Sequence, residues 1–308
     1  MDRRVFLARL SAAALSAGAL GGEYESIAAS GAEEPGEGSE GRTALKKGIK
    51  FHLFDGELSL PEKFSVLADL GFDGVELRCP NEGRSRSEVL RASDETGLSI
   101  HGVLNAGNWS QPFSSPDPDV RAKGVETLEA AIEDAAAYDA STVLLVPAVV
   151  TDEVPYDEAW RRSQTAIRKV IPTAETNGVT IAFENVWNHF LLSPMEFVRY
   201  IDAFGSDHVG AYLDIGNTLT YGWPEQWLRI LGDRVVKVHV KDRTRERYSG
   251  RGQAVKVKLG EGSCDWTAVQ EALADIGYEG WATAEVQGGS HARMQDISNR
   301  MSQILPFS

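Results

Sequence analysis

Residues 235–242 read VVKVHVKD. Valines alternate with Lys237, His239 and Lys241, the period of two that marks a β-strand with unlike faces. Two settings give that pattern. One is an edge strand with a wet face, and the other is a barrel strand whose polar face lines an active site. In either, alternation puts Lys237, His239 and Lys241 on one face and Val236, Val238 and Val240 on the other, toward helices in the barrel case. Lys237 then lies deepest, where its charge needs a partner that the sequence does not name. The neighbouring strands decide between the two settings.

From residue 48 onward one theme repeats: a short apolar run, a helical pattern, another apolar run. The expected strands are GIKFHLF (48–54), GVELR (74–78), SIHGVLN (99–105), TVLLVPA (142–148), TIAFEN (180–185), VGAYLDIGN (209–217), VVKVHVKD, and GWATAEV (280–286). Helical patterns follow in LPEKFSVLADLG, 87–96, 117–138, 156–176, SPMEFVRYIDAFG, PEQWLRILGD, 265–276 and 291–305. Gly punctuates the helix ends in ADLGFDG, ETGLSI, ETNGVT and ADIGYEG. Such alternation predicts parallel strands joined by helical crossovers. Eight units in about 260 residues match a TIM barrel. An open doubly wound sheet is the competitor, but no Gly-rich phosphate-binding turn follows the first strand. The expected fold is α/β, a single-domain (β/α)8 TIM barrel over residues 47–308.

The segment before it differs. MDRRVFLARLSAAALSAGAL pairs Arg3 and Arg4 ahead of an apolar, alanine-rich stretch and resembles a bacterial twin-arginine signal. The stretch is too short and alanine-rich for a good membrane span, so residues 1–32 are expected to be a signal peptide, with cleavage near Ala29 or Ala32 and no stable membrane insertion afterwards. Residues 33–46, rich in Gly, Glu and Ser, are expected to be a flexible acidic linker. The destination is then periplasmic or extracytoplasmic. Two cysteines, Cys79 and Cys264, do not make a disulfide framework; the default is two free thiols, with a pair between them left open. The formal net charge of −14 argues against nucleic acid as the main partner.

Active sites of such barrels sit at the C-terminal strand ends. Glu184 ends the fifth strand, Asp214 the sixth, His239 lies on the seventh and Glu285 ends the eighth. Adjacent strands are about 4.8 Å apart, so these four ends can share one ion. Any one of them alone reads more plainly as a capped or ion-paired side chain. Together on successive strand ends they point to a metal site. Three carboxylates and one imidazole suit Mn²⁺ or Mg²⁺, and Co²⁺ or Zn²⁺ can also bind such a set. A structural zinc would want more Cys or His. The set also places VVKVHVKD in a barrel.

IAFEN, YLDIGN, VKVHVKD, LGEG and the Glu of TAEV resemble the xylose isomerase-like TIM barrels called sugar phosphate isomerases/epimerases, over roughly residues 48–305. The resemblance implies one divalent ion, commonly Mn²⁺, on Glu184, Asp214, His239 and Glu285. It also implies a small-molecule carbohydrate substrate. From its ketose 3-epimerase branch comes the role of Glu184 and Glu285 as the catalytic pair, one taking the proton next to a carbonyl and the other returning one, through an enediolate. The expected function is a divalent-metal-dependent isomerase or epimerase of a sugar or sugar-like carbonyl compound. Two alternatives stand beside it: a lyase, by dehydration or β-elimination of a 3-keto-glycoside, and a non-catalytic sugar-binding barrel. One departure bears on the choice. Three residues after the metal Asp, the ketose 3-epimerases carry a substrate-binding His, and this chain has Asn217, which cannot shuttle a proton at neutral pH. Export also fits a sugar phosphate poorly. The abasic-site endonucleases of related fold use a His-rich three-zinc site, which six scattered His in an acidic chain do not supply.

Five further residues are substrate-binding candidates. Asn217 and Lys241 adjoin the metal set, with a salt bridge to Asp242 or Glu261 the alternative for Lys241. Glu76 contacts substrate or pairs with Arg78. His101, like His52, faces the mouth or is buried and satisfied. Trp187, in ENVWN, is a sugar platform or plain packing. The long basic loop RTRERYSGRGQAVKVKLGEG is expected to close over the site as a lid; otherwise it is a solvated loop or a dimer contact, which leaves a homo-oligomer open.

Overall fold

The computed structural model describes residues 45–79, 83–245 and 257–307, all within the compact unit Glu40–Ser308. The expected signal peptide, nearly all of the expected linker and the middle of the long basic loop lie outside the described residues.

Eight strands close into one barrel in chain order: β1 Lys46–Lys50, β2 Gly74–Cys79, β3 Ser99–Asn105, β4 Thr142–Leu145, β5 Thr180–Glu184, β6 Val209–Asp214, β7 Val235–Val240 and β8 Trp281–Ala284. Every neighbouring pair is parallel, including β1 with β8. The helices are α1 Leu60–Asp69, α2 Arg86–Thr96, α3 Pro118–Ala137, α4 Tyr156–Ile167, α5 Ile171–Asn177, α6 Pro194–Asp202, α7 Ile215–Thr218, α8 Pro224–Leu231, α9 Trp266–Asp275 and α10 His291–Ile304. The fold is the expected (β/α)8 barrel. None of the described helices is long and apolar enough to cross a membrane. Cys79 and Cys264 are free thiols.

Local chemistry accounts for the element ends. Ser59 and Ser85 open α1 and α2 with capping boxes to Glu62 and Glu88. Gly97 and Gly178 close α2 and α5 at φ 72° and 65°, in the left-handed region that glycine enters without strain. The helix expected over 156–176 is two helices. Pro172, without an N–H, falls in the first turn of α5 and interrupts the ladder after α4. The first strand begins at Lys46, where it pairs with Trp281, and ends at Lys50 in a 3-10 turn over Phe51–Leu53. The sixth ends at Asp214, whose side chain accepts the Asn217 N–H and starts α7.

Valines, leucines and aromatics fill the layer between strands and helices. A smaller apolar group, Leu144, Ala182 and Tyr212 with Leu104 and Val236, lies apart from it. Two register shifts shape the strands. Val75 pairs with Ile100 but Glu76 with Gly102, leaving His101 extra; Ala211 pairs with Val235 but Tyr212 with Lys237, leaving Val236 extra. A bulge breaks strict alternation. Val236 therefore packs on the Leu144–Ala182–Tyr212 group, against the expectation that it faces the helices, while Val235, Val238 and Val240 join the outer layer.

The partner of Lys237 is His101. The lysine donates to the His101 carbonyl and lies 3.1 Å from His101 Nδ1. His101 Nε2 is 3.2 Å from Thr283 Oγ1, and the ring stacks on Trp281 at 4.3 Å. Gly48 makes this possible, since a Cβ there would sit 2.7 Å from His101 Nε2.

Candidate functional site

Four side chains meet at the C-terminal rim. Glu184 ends β5, Asp214 ends β6, His239 lies near the end of β7, and Glu285 follows β8, where its N–H reaches the Val240 carbonyl at 3.1 Å. Asp214 and His239 are register partners. One ligand atom from each of the four lies within 4.8 Å of all the others. His239 Nδ1 is 2.8 Å from Glu184 Oε1 and 2.8 Å from Glu285 Oε2. An imidazole nitrogen carries one proton at most, so it satisfies only one of those oxygens. Glu285 Oε2 and His239 Nε2 are buried without an aligned hydrogen bond. Crowded carboxylates, an imidazole and buried polar atoms left over form a donor set that fits a divalent cation.

Asp214 is fixed by a clamp of amides. Its N–H donates to Asn185 Oδ1 at 2.7 Å, and its carbonyl accepts from Asn185 Nδ2 at 3.1 Å. Asn217 closes the clamp, with its backbone N–H on Asp214 Oδ1 at 2.7 Å and its side-chain Nδ2 on the Asn185 carbonyl at 2.9 Å. The Asn217 backbone N–H and one Nδ2 hydrogen thus have a structural use, and Asn217 Oδ1 faces Lys241 Nζ at 3.4 Å.

Two lysines balance the carboxylates. Lys50 Nζ lies 3.0 Å from Glu285 Oε2 and 3.9 Å from Glu76 Oε2. Lys241 Nζ lies 2.7 Å from Asp214 Oδ2 and 3.3 Å from Glu285 Oε1. Burial works against the ammonium form of both, but the surrounding carboxylates outweigh it and raise both pKa values. Burial and the charge of Glu285 raise the pKa of Glu184. Burial acts the same way on Glu285, but Lys50, Lys241 and His239 overcome it and hold its carboxyl well below the usual range. Burial and Lys50 oppose protonation of His239, whereas Glu285 and Glu184 prevail and raise its pKa well above 6.5.

Above the cluster opens a cleft of about 1360 Å³, lined by His52, Trp109, Trp187, Asn217, Lys241 and Arg243 among others. Arg243 is 3% exposed, its guanidinium 3.7 Å from the centre of the Trp187 ring. Beside it, buried Asp242 accepts the backbone N–H groups of Arg243, Gly260, Gly262 and Cys264 and the indole N–H of Trp266, at 2.8–3.3 Å. Asp242 therefore anchors the LGEG turn and is no partner of Lys241. Glu261 pairs with Arg300 at 2.8 Å.

The structure brings Glu184, Asp214, His239, Glu285, Asn217 and Lys241 to one place, with Trp187 on the cleft wall. Glu76 lies behind His239, its Oε2 3.4 Å from Nε2, while Arg78 is exposed. His101 does not face the mouth. It is 3% exposed with both ring nitrogens engaged, because the bulge and Gly48 draw it into the barrel. Lys50, Arg243 and Trp109 are the residues that sequence reasoning missed. Lys50 carried a readable signal: it ends the first strand, next to the strand that delivers Glu285.

A family model for the xylose isomerase-like TIM barrel matches residues 64–303, and the chain belongs to that family. It is 27% identical to the putative L-ribulose-5-phosphate 3-epimerase SgbU of Escherichia coli (strain K12) over 73% of this chain and 82% of that protein. It is 26% identical to the L-ribulose-5-phosphate 3-epimerase UlaE of Escherichia coli O1:K1 / APEC over 79% and 90%. Among solved structures, the 3-keto-D-glucoside 4-epimerase YcjR of E. coli superposes with a TM-score of 0.71 at 21% identity, over 84% of this chain and 98% of that one.

Proposed function

We propose that this chain is a divalent-metal-dependent sugar epimerase or isomerase that moves a proton at the carbon next to a carbonyl. The convergence of Glu184, Asp214, His239 and Glu285 within 4.8 Å, under an open cleft, carries the reading. Relatives named as 3-epimerases support it. Those four residues would hold the ion, and three carboxylates with one imidazole suit Mn²⁺ best, ahead of Mg²⁺, Co²⁺ or Zn²⁺. Bound there, the ion would supply the Lewis acidity that makes the neighbouring C–H acidic.

The side chains do the rest. Glu184 and Glu285 come from the outer two of four successive strands and flank the site, one to take the proton and the other to return one. Their surroundings push their proton affinities apart, up for Glu184 and down for Glu285, the asymmetry that an acid–base pair needs. Which takes and which gives follows the direction of the reaction. Trp187 and Trp109 offer aromatic faces to a sugar, and Lys241 and Arg243 offer donors to its oxygens. The Arg3–Arg4 signal supports export of the folded chain, which favours an unphosphorylated sugar. One observation favours a second reading, a lyase on the same scaffold: Lys241, an ammonium 3.3 Å from Glu285, is placed to protonate a departing oxygen.

The test is exchange of a substrate C–H proton in deuterium oxide, followed by proton NMR over a set of ketoses and 3-keto sugars. Exchange is expected with Mn²⁺ restored to chelator-stripped protein, and a drop of about 10²–10⁴-fold in Glu184→Gln. No exchange with any of them, with metal bound, refutes the proposal.

A further inference from the structure

Both nitrogens of His239 face carboxylates. Nδ1 points at Glu184 and Glu285, and Nε2 lies 3.4 Å from Glu76 Oε2. His239 is 0% exposed and Glu76 1%. Neither His239 Nε2 nor either oxygen of Glu76 makes an aligned hydrogen bond. A buried polar atom left so costs about 1–3 kcal/mol, and a native structure has few of them. Here the orphaned atoms face each other.

We propose that Glu76 is a positioning residue: it accepts the N–H of His239 Nε2 and so selects, in the neutral imidazole that would bind the ion, the tautomer whose Nδ1 lone pair is aimed at the ion site. This rests on the metal reading of Glu184, Asp214, His239 and Glu285. Metal-ligating histidines commonly donate their second N–H to a carboxylate, which fixes tautomer and ring orientation. A few tenths of an ångström bring the 3.4 Å approach to hydrogen-bond distance.

The surroundings are shaped for this role. The bulge between β2 and β3 sets Glu76 opposite Gly102. A Cβ on Gly102 would lie 3.7 Å from Glu76 Oε1 and 3.2 Å from Lys237 Nζ, so the glycine leaves space where carboxylate and ammonium approach. Lys50 Nζ, 3.9 Å from Glu76 Oε2, balances its charge. The Tyr212 ring, 4.1 Å from the imidazole, walls one face of His239. Glu76 is 1% exposed and its Oε2 lies 3.4 Å from His239 Nε2, so its reach is to the imidazole.

Two measurements test this without substrate, so failure of the catalytic proposal does not disturb them. In ¹⁵N-labelled wild-type protein saturated with diamagnetic Mg²⁺, long-range proton–nitrogen correlation should show His239 protonated at Nε2 and bare at Nδ1. A proton on Nδ1, or on both nitrogens, overturns the proposal. On chelator-stripped protein, calorimetry with Mn²⁺ alone should show about 10–100-fold weaker binding in Glu76→Gln and Glu76→Ala, with Glu76→Asp in between. Affinity within twofold of wild type in folded Glu76→Gln also overturns it. If Glu76→Ala does not fold, Glu76→Gln and the wild-type spectrum decide. A wild-type chain that binds neither Mn²⁺ nor Mg²⁺ refutes the metal reading itself, and this inference with it.

Discussion

Lys50→Met separates charge compensation from packing at the site. The Lys50 side chain is 5% exposed, 3.0 Å from Glu285 and 3.9 Å from Glu76. Methionine keeps most of the length and bulk and removes the charge. At an effective dielectric of about 20, a unit pair at 3.0 Å interacts by about 5 kcal/mol. Removing one member of a buried pair costs about 3–5 kcal/mol, because the other charge stays behind. The metal-free variant should thus lose about 3 kcal/mol of unfolding free energy in urea.

Bound metal would reverse the sign. A divalent ion held by Glu285 would be repelled by Lys50. For charges roughly 5 Å apart, even at the dielectric of water, that repulsion is about 1.7 kcal/mol, or more than tenfold in affinity. Calorimetry should show Mn²⁺ bound at least about tenfold tighter by the variant. Saturating Mn²⁺ should restore much of the lost stability, since a ligand of the folded state alone stabilises it by mass action. Equal stability losses with and without Mn²⁺, or weaker Mn²⁺ binding, would refute the reasoning and make Lys50 a holder of ligand geometry.

Three further outcomes are expected. Asp242→Asn sets an amide NH₂ among the five N–H donors that now meet the carboxylate; it should cost about 2–4 kcal/mol in a urea melt, and a loss under 1 kcal/mol would deny Asp242 its anchoring role. Burial lowers the Lys237 pKa from 10.5 to about 7, with Glu76 opposing, so between those values the unfolded chain binds the extra proton and stability rises with pH. The wild-type unfolding free energy should therefore gain about 3 kcal/mol on Lys237→Met between about pH 7 and pH 9.5, and parallel pH profiles would contradict this. Lys241→Met should lower kcat by about 10²-fold or more while binding Mn²⁺ no more weakly; an unchanged kcat would remove Lys241 from the proton chemistry.

The barrel was legible because its determinants are local. Apolar runs and Gly stops each act within a few residues, and eight strand–helix units in series leave one closed topology. The convergence of Glu184, Asp214, His239 and Glu285 was legible for the same reason, since strand ends need only alternation and order to be placed. Alternation failed where a bulge inserts a residue, and bulges have no local mark in this sequence. Val236 and His101 are the two extra residues: Val236 lies on the side opposite to the one strict pleating gave it, and His101 takes the buried, satisfied one of its two readings. The partners of Glu76, Lys237 and Asp242 also stayed hidden. Each pairs across the barrel or with a distant turn, and sequence spacing carries no information about such meetings.

Asn217 and Lys241 bear together on the reaction class. Where the resemblance to ketose 3-epimerases led to the expectation of a His, this chain has an amide that gives one Nδ2 hydrogen to the Asn185 carbonyl. The nearest proton-bearing group is then Lys241, held toward the same spot by Asn217 Oδ1 at 3.4 Å. Without metal, Lys241 is tied to Asp214 at 2.7 Å and Glu285 at 3.3 Å. An ion on those carboxylates would compete with the ammonium, which already lines the cleft. An epimerase can use that ammonium to steady negative charge on a substrate oxygen, and a lyase can use it to protonate an oxygen as it leaves. The two differ in whether the C–O bond two carbons from the carbonyl breaks, so a single deuterium exchange run that also follows product mass separates them.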